Sequence, residues 1–291
     1  MQAFWQPDTL DSALSIRKSH PEAVPLAGGT DLFVKFRKTG APDPLLDLSR
    51  VACLQAICAE SEGRKESEIH IGACVTFQAL MAHPVGERFP ALQKALRGIG
   101  SPQIRNRGTI GGSLCNASPA ADLTPLWTVL DATVEAARIN DAGAVETRRI
   151  PVERFILGMG KTALLPDELV TKLIFMPYRG RVSYEKVGRR DALSIARLSV
   201  AVALTFESGR VADARISAGA ITNAPMRATA AEAYLLGKSL LPAEIEQAAS
   251  LCADAYMDES HWRPSYTYKR PALCRIVCDL LTEAGKERCA G

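Results

Sequence analysis

The sequence predicts an α+β chain in two parts: a mixed α and β domain over residues 1–176, then an antiparallel sheet backed by helices over 177–291. Three observations carry this. Helix and strand signals alternate as far as Met176, where Pro177 ends an extended run. Leu198, Val200, Val202, Leu204 and Phe206 then alternate with small or polar residues, the pattern of a strand half covered by something apolar. Glu207-Ser208-Gly209-Arg210 supplies a hairpin turn, and two helical patterns close the chain. At 291 residues the chain also exceeds the size at which a single core is usual.

The elements follow in order. Asp8 or Thr9 caps a helix running to about His20, with Leu10, Ala13, Leu14 and Arg17 at helical spacing. Strands are expected over 24–26, 45–47 and 68–73, the last alternating Ile69, Ile71 and Ala73. Thr76 opens a second short helix, 89–99 reads as a third, and Pro125 at a first-turn position opens a fourth through Asp131. Strands return over 132–139 and 146–150. The extended segment 169–176 precedes the boundary; strands over 182–187, 197–206 and 211–221 and helices over 242–256 and 268–284 follow it.

Composition excludes several classes. A net charge of +3 with dispersed lysines and arginines is not a nucleic-acid footprint and gives no basic face for an acidic membrane. No apolar run is long enough to span a bilayer, and Met1 to Asp8 lacks a basic segment followed by an apolar one, so a cytoplasmic protein is expected.

The chemistry-bearing feature is a pair of glycine loops, Ala27-Gly28-Gly29-Thr30-Asp31 and Thr109-Ile110-Gly111-Gly112-Ser113. Glycine lets the peptide turn through positive φ and approach an anion, and successive N–H groups form a concave nest for phosphate oxygens. A dinucleotide diphosphate suits such loops. The first loop also reads as a plain turn from the apolar run 24–26 into a helix starting at Leu32. The second loop lies in a long segment of small and polar residues, expected to be a surface shaped around a ligand and not core. Gly158-Met159-Gly160-Lys161-Thr162 is a decoy: a phosphate-binding ATPase loop needs glycine where Phe155 stands.

The run from Gly100-Ser101-Pro102-Gln103-Ile104-Arg105-Asn106-Arg107-Gly108 through Thr109-Ile110-Gly111-Gly112-Ser113-Leu114-Cys115-Asn116 to Ala117-Ser118-Pro119-Ala120-Ala121-Asp122 closely resembles the FAD-binding subunit of the molybdenum hydroxylases, the xanthine dehydrogenase family. Leu26 to Asp31 resembles that family's first pyrophosphate loop, and Phe155 to Thr162 and Tyr184 to Arg190 resemble further family segments. The resemblance implies a two-part FAD-binding domain of the PCMH type, followed by a domain like the C-terminal part of the CO dehydrogenase flavoprotein. It further implies that Val24, Pro25, Leu26, Ala27, Gly28, Gly29, Thr30 and Asp31, with Thr109, Ile110, Gly111, Gly112 and Ser113, hold the diphosphate. Ile99 would lie against the cofactor, Asp122 would accept from a hydroxyl, Leu169 or Val170 would contact the adenine, and Lys186 would approach the flavin. Asp122 also reads as an N-cap for the helix near Thr124, Lys186 as a solvated strand residue, and Tyr184 as core.

By the same resemblance, electrons enter FAD from [2Fe-2S] clusters on a small partner, which receives them from a molybdenum cofactor in a large partner, and leave to NAD+. The eight cysteines, at 53, 58, 74, 115, 252, 274, 278 and 289, form no Cys-x2-Cys pair and read as core or surface thiols, so any clusters belong to another chain. His20, His70, His83 and His261 lie outside both glycine loops, which points to non-covalent FAD. The Gly28-Gly29-Thr30-Asp31-Leu32 form of the first loop resembles xanthine dehydrogenases more than carbon monoxide dehydrogenases. The alternatives are the FAD subunit of a CO, nicotinate or aldehyde dehydrogenase, a stand-alone FAD-dependent oxidoreductase, and a scaffold without flavin. No second acid–base constellation for substrate chemistry is evident.

Overall fold

The computed structural model describes residues 4–40, 44–60, 68–190, 193–259 and 265–287; His261 and Cys289 lie outside them. In chain order the strands are β1 (Phe4–Trp5), β2 (Val24–Leu26), β3 (Leu45–Asp47), β4 (Ile57–Glu60), β5 (Glu68–Gly72), β6 (Thr133–Ile139), β7 (Val145–Pro151), β8 (Ile156–Gly158), β9 (Lys161–Thr162), β10 (Leu169–Phe175), β11 (Arg181–Val187), β12 (Leu198–Glu207) and β13 (Arg210–Gly219). The α-helices are α1 (Leu10–Ser19), α2 (Leu32–Thr39), α3 (Phe77–Ala82), α4 (Pro84–Arg88), α5 (Pro90–Arg97), α6 (Pro102–Arg105), α7 (Ile110–Asn116), α8 (Thr124–Val129), α9 (Val152–Phe155), α10 (Thr229–Leu235), α11 (Pro242–Glu259) and α12 (Tyr266–Glu287). They form two compact units, neither continuous in sequence. Met1–Val85, Gly100–Ser118 and Ala132–Met176 make the first; Gly86–Ile99, Pro119–Asp131 and Pro177–Gly291 make the second.

The first unit holds a parallel sheet in the order β1-β3-β2 and an antiparallel sheet in the order β4-β5-β10-β6-β7. Thr9 caps α1 by accepting from the Ser12 N–H at 3.2 Å, and the helix buries Ala13 and Leu14 against Leu46, Leu48, Val51 and Leu54. β10 lies at the centre of the larger sheet, which is why Leu169, Val170, Leu173, Ile174 and Phe175 are all buried. β7 is an edge strand, exposed from Val145 to Arg149, and its charged residues suit that place.

The second unit is built on the antiparallel sheet β11-β12-β13. One face of β12, Leu198, Val200, Val202 and Leu204, packs with Ile245, Ala249 and Tyr256 of α11 and Leu273, Val277 and Leu281 of α12. The Tyr256 hydroxyl accepts from the Ala218 N–H at 2.6 Å and donates to the Met226 carbonyl at 2.7 Å.

The expectation of a half-covered strand is corrected here. Ser199, Ala201 and Ala203, on the other face, are buried as completely as the large residues. α8 packs on β12 and β13 and α5 on β11, and both helices come from segments that precede the sheet in the chain. Small residues on this face leave room for those helices.

Candidate functional site

In the first loop the chain leaves β2 at Leu26 and turns into α2 through Gly29, whose φ of +72° favours glycine. Val24 and Pro25 are half-buried and Leu26 is buried. The loop carbonyls serve the helix: Phe33 N–H donates to Gly29 O at 3.0 Å and Lys35 N–H to Asp31 O at 3.1 Å. The amides of Gly28, Gly29, Thr30 and Asp31 donate to no described protein acceptor. Four consecutive N–H groups at the start of an eight-residue helix are thus available to an anion, the raw material of a main-chain cradle.

The second loop is built differently. Thr109 is the N-cap of α7 and accepts from Gly112 N–H at 3.1 Å, while Ser113 N–H donates to Thr109 O at 3.0 Å. Ile110 N–H donates to Val75 O at 3.0 Å and Gly111 N–H to Ala73 O at 2.8 Å. All four amides from Ile110 to Ser113 are thus committed within the protein. What the loop presents is the half-buried Ser113 beside exposed Gly112, since Thr109 is itself buried.

The segment around this loop is not all ligand surface, as its small residues suggested. Ile110, Gly111, Leu114 and Ala117 are buried, because one face of α7 is core. Cys115, read from sequence as a core or surface thiol, is exposed.

The glycines also lock these loops in place. A β-carbon on Gly28 would overlap the Arg107 carbonyl oxygen, and one on Gly111 would lie 2.6 Å from Ala73 Cβ. Bare backbone is therefore required here for protein against protein, independently of any ligand. The glycine pairs are therefore needed whether or not flavin is bound.

Leu169 and Val170 are buried in β10, so their side chains are core. The register of β10 on β6 slips between Val170 and Lys172, leaving Thr171 as a bulge residue. Thr171 O accepts from Ala73 N–H at 2.9 Å, and Ala73 O accepts from Gly111 N–H. Through Ala73 the bulge supports the second glycine loop.

In the second unit, Lys186 Nζ donates to Asp122 Oδ2 and to the Gly98 carbonyl, each at 2.8 Å. Asp122 and the Gly98 carbonyl thus meet at one ammonium, and Ile99 follows Gly98 directly in the chain. Neither alternative reading survives. Asp122 does not cap α8, whose N-cap is Leu123, and Lys186 is only 13% exposed. Burial raises the Asp122 pKa while Lys186 opposes that shift, and Asp122 Oδ1 is buried without a protein partner. Tyr184 is buried core. Gly98, whose carbonyl completes the arrangement, carries no sequence signal, since a main-chain acceptor leaves no mark on residue type.

The fit to a dinucleotide rests on the cradle of free amides at Gly28 to Asp31, which a β-carbon at Gly28 or a non-glycine φ at Gly29 would disrupt. Among the described residues no group of three His, Cys, Asp or Glu side chains is placed to hold a metal ion, and no helix is long and apolar enough to cross a membrane.

Comparison with known proteins agrees with this assembly. Residues 1–178 match the family described as FAD binding domain in molybdopterin dehydrogenase, and residues 183–284 match the CO dehydrogenase flavoprotein C-terminal domain. The nicotinate dehydrogenase FAD-subunit of Eubacterium barkeri is 31% identical over 290 residues, covering 96% of this chain and 95% of that protein. A putative xanthine dehydrogenase FAD-binding subunit of Escherichia coli is 28% identical, covering 95% and 93%. Among solved structures, a chain of the Cu,Mo-CO dehydrogenase superposes with a TM-score of 0.85 at 27% identity, covering 99% of this chain and 98% of that one. The chain belongs to the FAD-binding medium subunits of the molybdopterin dehydrogenases.

Proposed function

We propose that this subunit carries electrons from [2Fe-2S] clusters on a small partner chain, loaded by a molybdenum cofactor in a large partner, through non-covalent FAD to NAD+. The observation that carries the reading is the row of four unpaired amides at Gly28 to Asp31 at the start of α2. The FAD diphosphate is assigned to this cradle, with the Thr30, Thr109 and Ser113 hydroxyls as further partners and Val24 to Ala27 and Ile110 to Gly112 as the backbone that shapes it. Ile99, Asp122 and Lys186 are the proposed cofactor residues of the second unit, and Leu169 or Val170 the proposed main-chain contact to adenine. FAD, when bound, supplies the exchange between single electrons and hydride; the protein supplies binding, orientation and electrostatics.

The substrate class proposed for the complex is a xanthine-like N-heterocycle. Support comes from the Gly28-Gly29-Thr30-Asp31-Leu32 form of the first loop and from relatives named for xanthine and nicotinate, although one relative is named for carbon monoxide. A cytoplasmic setting is proposed with it.

The test has two parts. The purified chain, mixed with FAD and desalted, is expected to retain the flavin spectrum; its absence would overturn the cofactor assignment. The native complex is expected to contain molybdenum and iron and to reduce NAD+ with an N-heterocycle as donor. Turnover with dyes or oxygen but never NAD+ would overturn the acceptor, and a fully active flavoprotein with no partner chain would favour the stand-alone alternative.

A further inference from the structure

Four of the eight residues of α2, Leu32, Phe33, Val34 and Phe36, are apolar, yet none of the eight is buried. Phe33 and Val34 are 52% and 59% exposed. A helix in a folded domain draws most of its stability from packing an apolar face, so a face left open calls for an occupant. The β8–β9 hairpin of the same unit adds Leu157 and Met159, 60% and 71% exposed. Both elements are tied to consecutive residues: Lys35 Nζ donates to Asn116 Oδ1 at 3.0 Å, and Gly160 N–H donates to the Ala117 carbonyl at 3.0 Å. These bonds gather the exposed apolar side chains around Asn116 and Ala117. Single exposed apolar residues need no explanation, whereas a group rimmed by polar residues marks an interaction site.

The charge around the group has one sign. Lys35, Arg37, Lys38 and Lys161 are exposed, and Asp31 is the single acid among the residues of α2, its N-cap and the hairpin. A groove of about 520 Å³ beside α2 is lined by Val24, Leu32, Phe36 and Lys38. A second copy of this chain would set like charges against each other, so the face suits a partner with an apolar centre and carboxylates around it. The face also adjoins the proposed cofactor cradle. α2 begins where the amides of Gly28 to Asp31 end, and a β-carbon on Gly29 would lie 2.5 Å from the Phe33 ring.

We infer that α2 and the β8–β9 hairpin form the docking face for the partner chain that carries the [2Fe-2S] clusters, and that this partner meets them with an apolar centre and an acidic rim. This rests on the electron-transfer reading proposed above, in which a donor to FAD must settle beside the flavin site. Phe33, Arg37 and Met159 are of the residue types that interfaces favour, and the cations around them steer an acidic surface into register.

The test uses the native complex, expressed with its partner chains and purified through a tag on this subunit. Release of the iron–sulfur chain is read by sedimentation over a dilution series, with FAD and iron counted for each variant. Val34→Glu and Met159→Glu are each expected to weaken association with that chain by about tenfold, since a carboxylate would be buried unpaired in an apolar contact. Lys38→Glu should weaken it by about threefold, and the affinity of the parent should fall as salt rises. Val145→Glu, at an exposed apolar residue of β7, should leave association unchanged, and all four variants should hold FAD as the parent does. Unchanged association in the Val34→Glu, Met159→Glu double variant would overturn the inference, as would an equal loss in Val145→Glu. Loss of FAD with the iron–sulfur chain still bound would give the face to the cofactor instead, and release of only the molybdenum chain or of a second copy of this subunit would give it to that chain. A parent complex lacking iron or flavin would remove the electron-transfer reading itself, and the docking assignment with it.

Discussion

Gly28 lies directly against the carbonyl group of Arg107, with no space for a methyl group between them. The first glycine loop is thereby seated on the strand of chain that leads into the second. Gly28→Ala is expected to destabilise the flavin-free protein by about 3 kcal/mol, the range of a backbone overpacking that cannot relax cheaply. Urea unfolding without FAD measures this, and an unchanged midpoint would contradict the loop-on-loop geometry.

Thr30→Val separates ligand binding from folding. Its hydroxyl has no protein partner among the described residues, so stability should change by less than about 0.5 kcal/mol. FAD affinity should fall by about five- to tenfold through loss of one hydrogen bond to a charged group. Unaltered affinity would move the diphosphate away from this residue.

Arg148 and Glu168 give a pH-dependent tie within the first unit. The Arg148 Nε donates to Glu168 Oε1 at 2.6 Å, and Leu165 N–H donates to its other oxygen at 2.8 Å. Burial alone would raise this carboxyl, but the guanidinium and the amide outweigh it and hold the pKa below the ordinary value. The stabilisation is therefore complete above the unfolded pKa of about 4.3 and is lost as pH falls through the lower folded value. Arg148→Met should cost about 2 kcal/mol at pH 7 and progressively less as pH falls through the folded pKa of Glu168, read from denaturant midpoints. A cost independent of pH would exclude the ion pair as its cause.

Tyr256→Phe should destabilise the second unit by about 2–4 kcal/mol. The change leaves the Ala218 N–H and the Met226 carbonyl without their hydroxyl partner in a core where the ring is fully buried. Thermal unfolding of parent and variant provides the comparison; a difference under 1 kcal/mol would show that both groups find other partners.

Acid precipitation of the FAD-loaded chain is expected to leave all yellow colour in the supernatant. The described histidines lie outside both loops, and Cys115 on α7 is the nearest thiol in sequence to the second loop. Colour in the washed pellet that disappears in Cys115→Ala would reverse the non-covalent assignment.

Much of the architecture was legible because it is written in local pattern. Thr9 before an apolar helical face, the alternation from Leu198 to Phe206 and the Ser208-Gly209 turn each specify an element through contacts a few residues apart. Other elements were not legible. The seven-residue helix α7 carries two glycines and no long apolar face, so helix propensity argues against it; it forms because Thr109 caps it and Ala73 and Val75 take its first amides. α10 follows a loop with no capping hydrogen bond and is held by buried Ala231 and Leu235.

By itself, the order of residues determined the antiparallel sheet of the second unit, the glycine loops and the family, because short-range periodicity and glycine's missing β-carbon act within a few positions. Tertiary structure alone decided which amides are free. Those of Gly28 to Asp31 have no acceptor among the described residues, whereas those of Ile110 to Ser113 are taken, two of them by residues some 35 positions earlier in the chain. It also decided that Lys186 meets Asp122 and Gly98, separated from it by 64 and 88 positions. No pattern in sequence encodes such a meeting, since hydrogen bonding to a main-chain carbonyl depends on where the chain passes and not on which side chain it carries there.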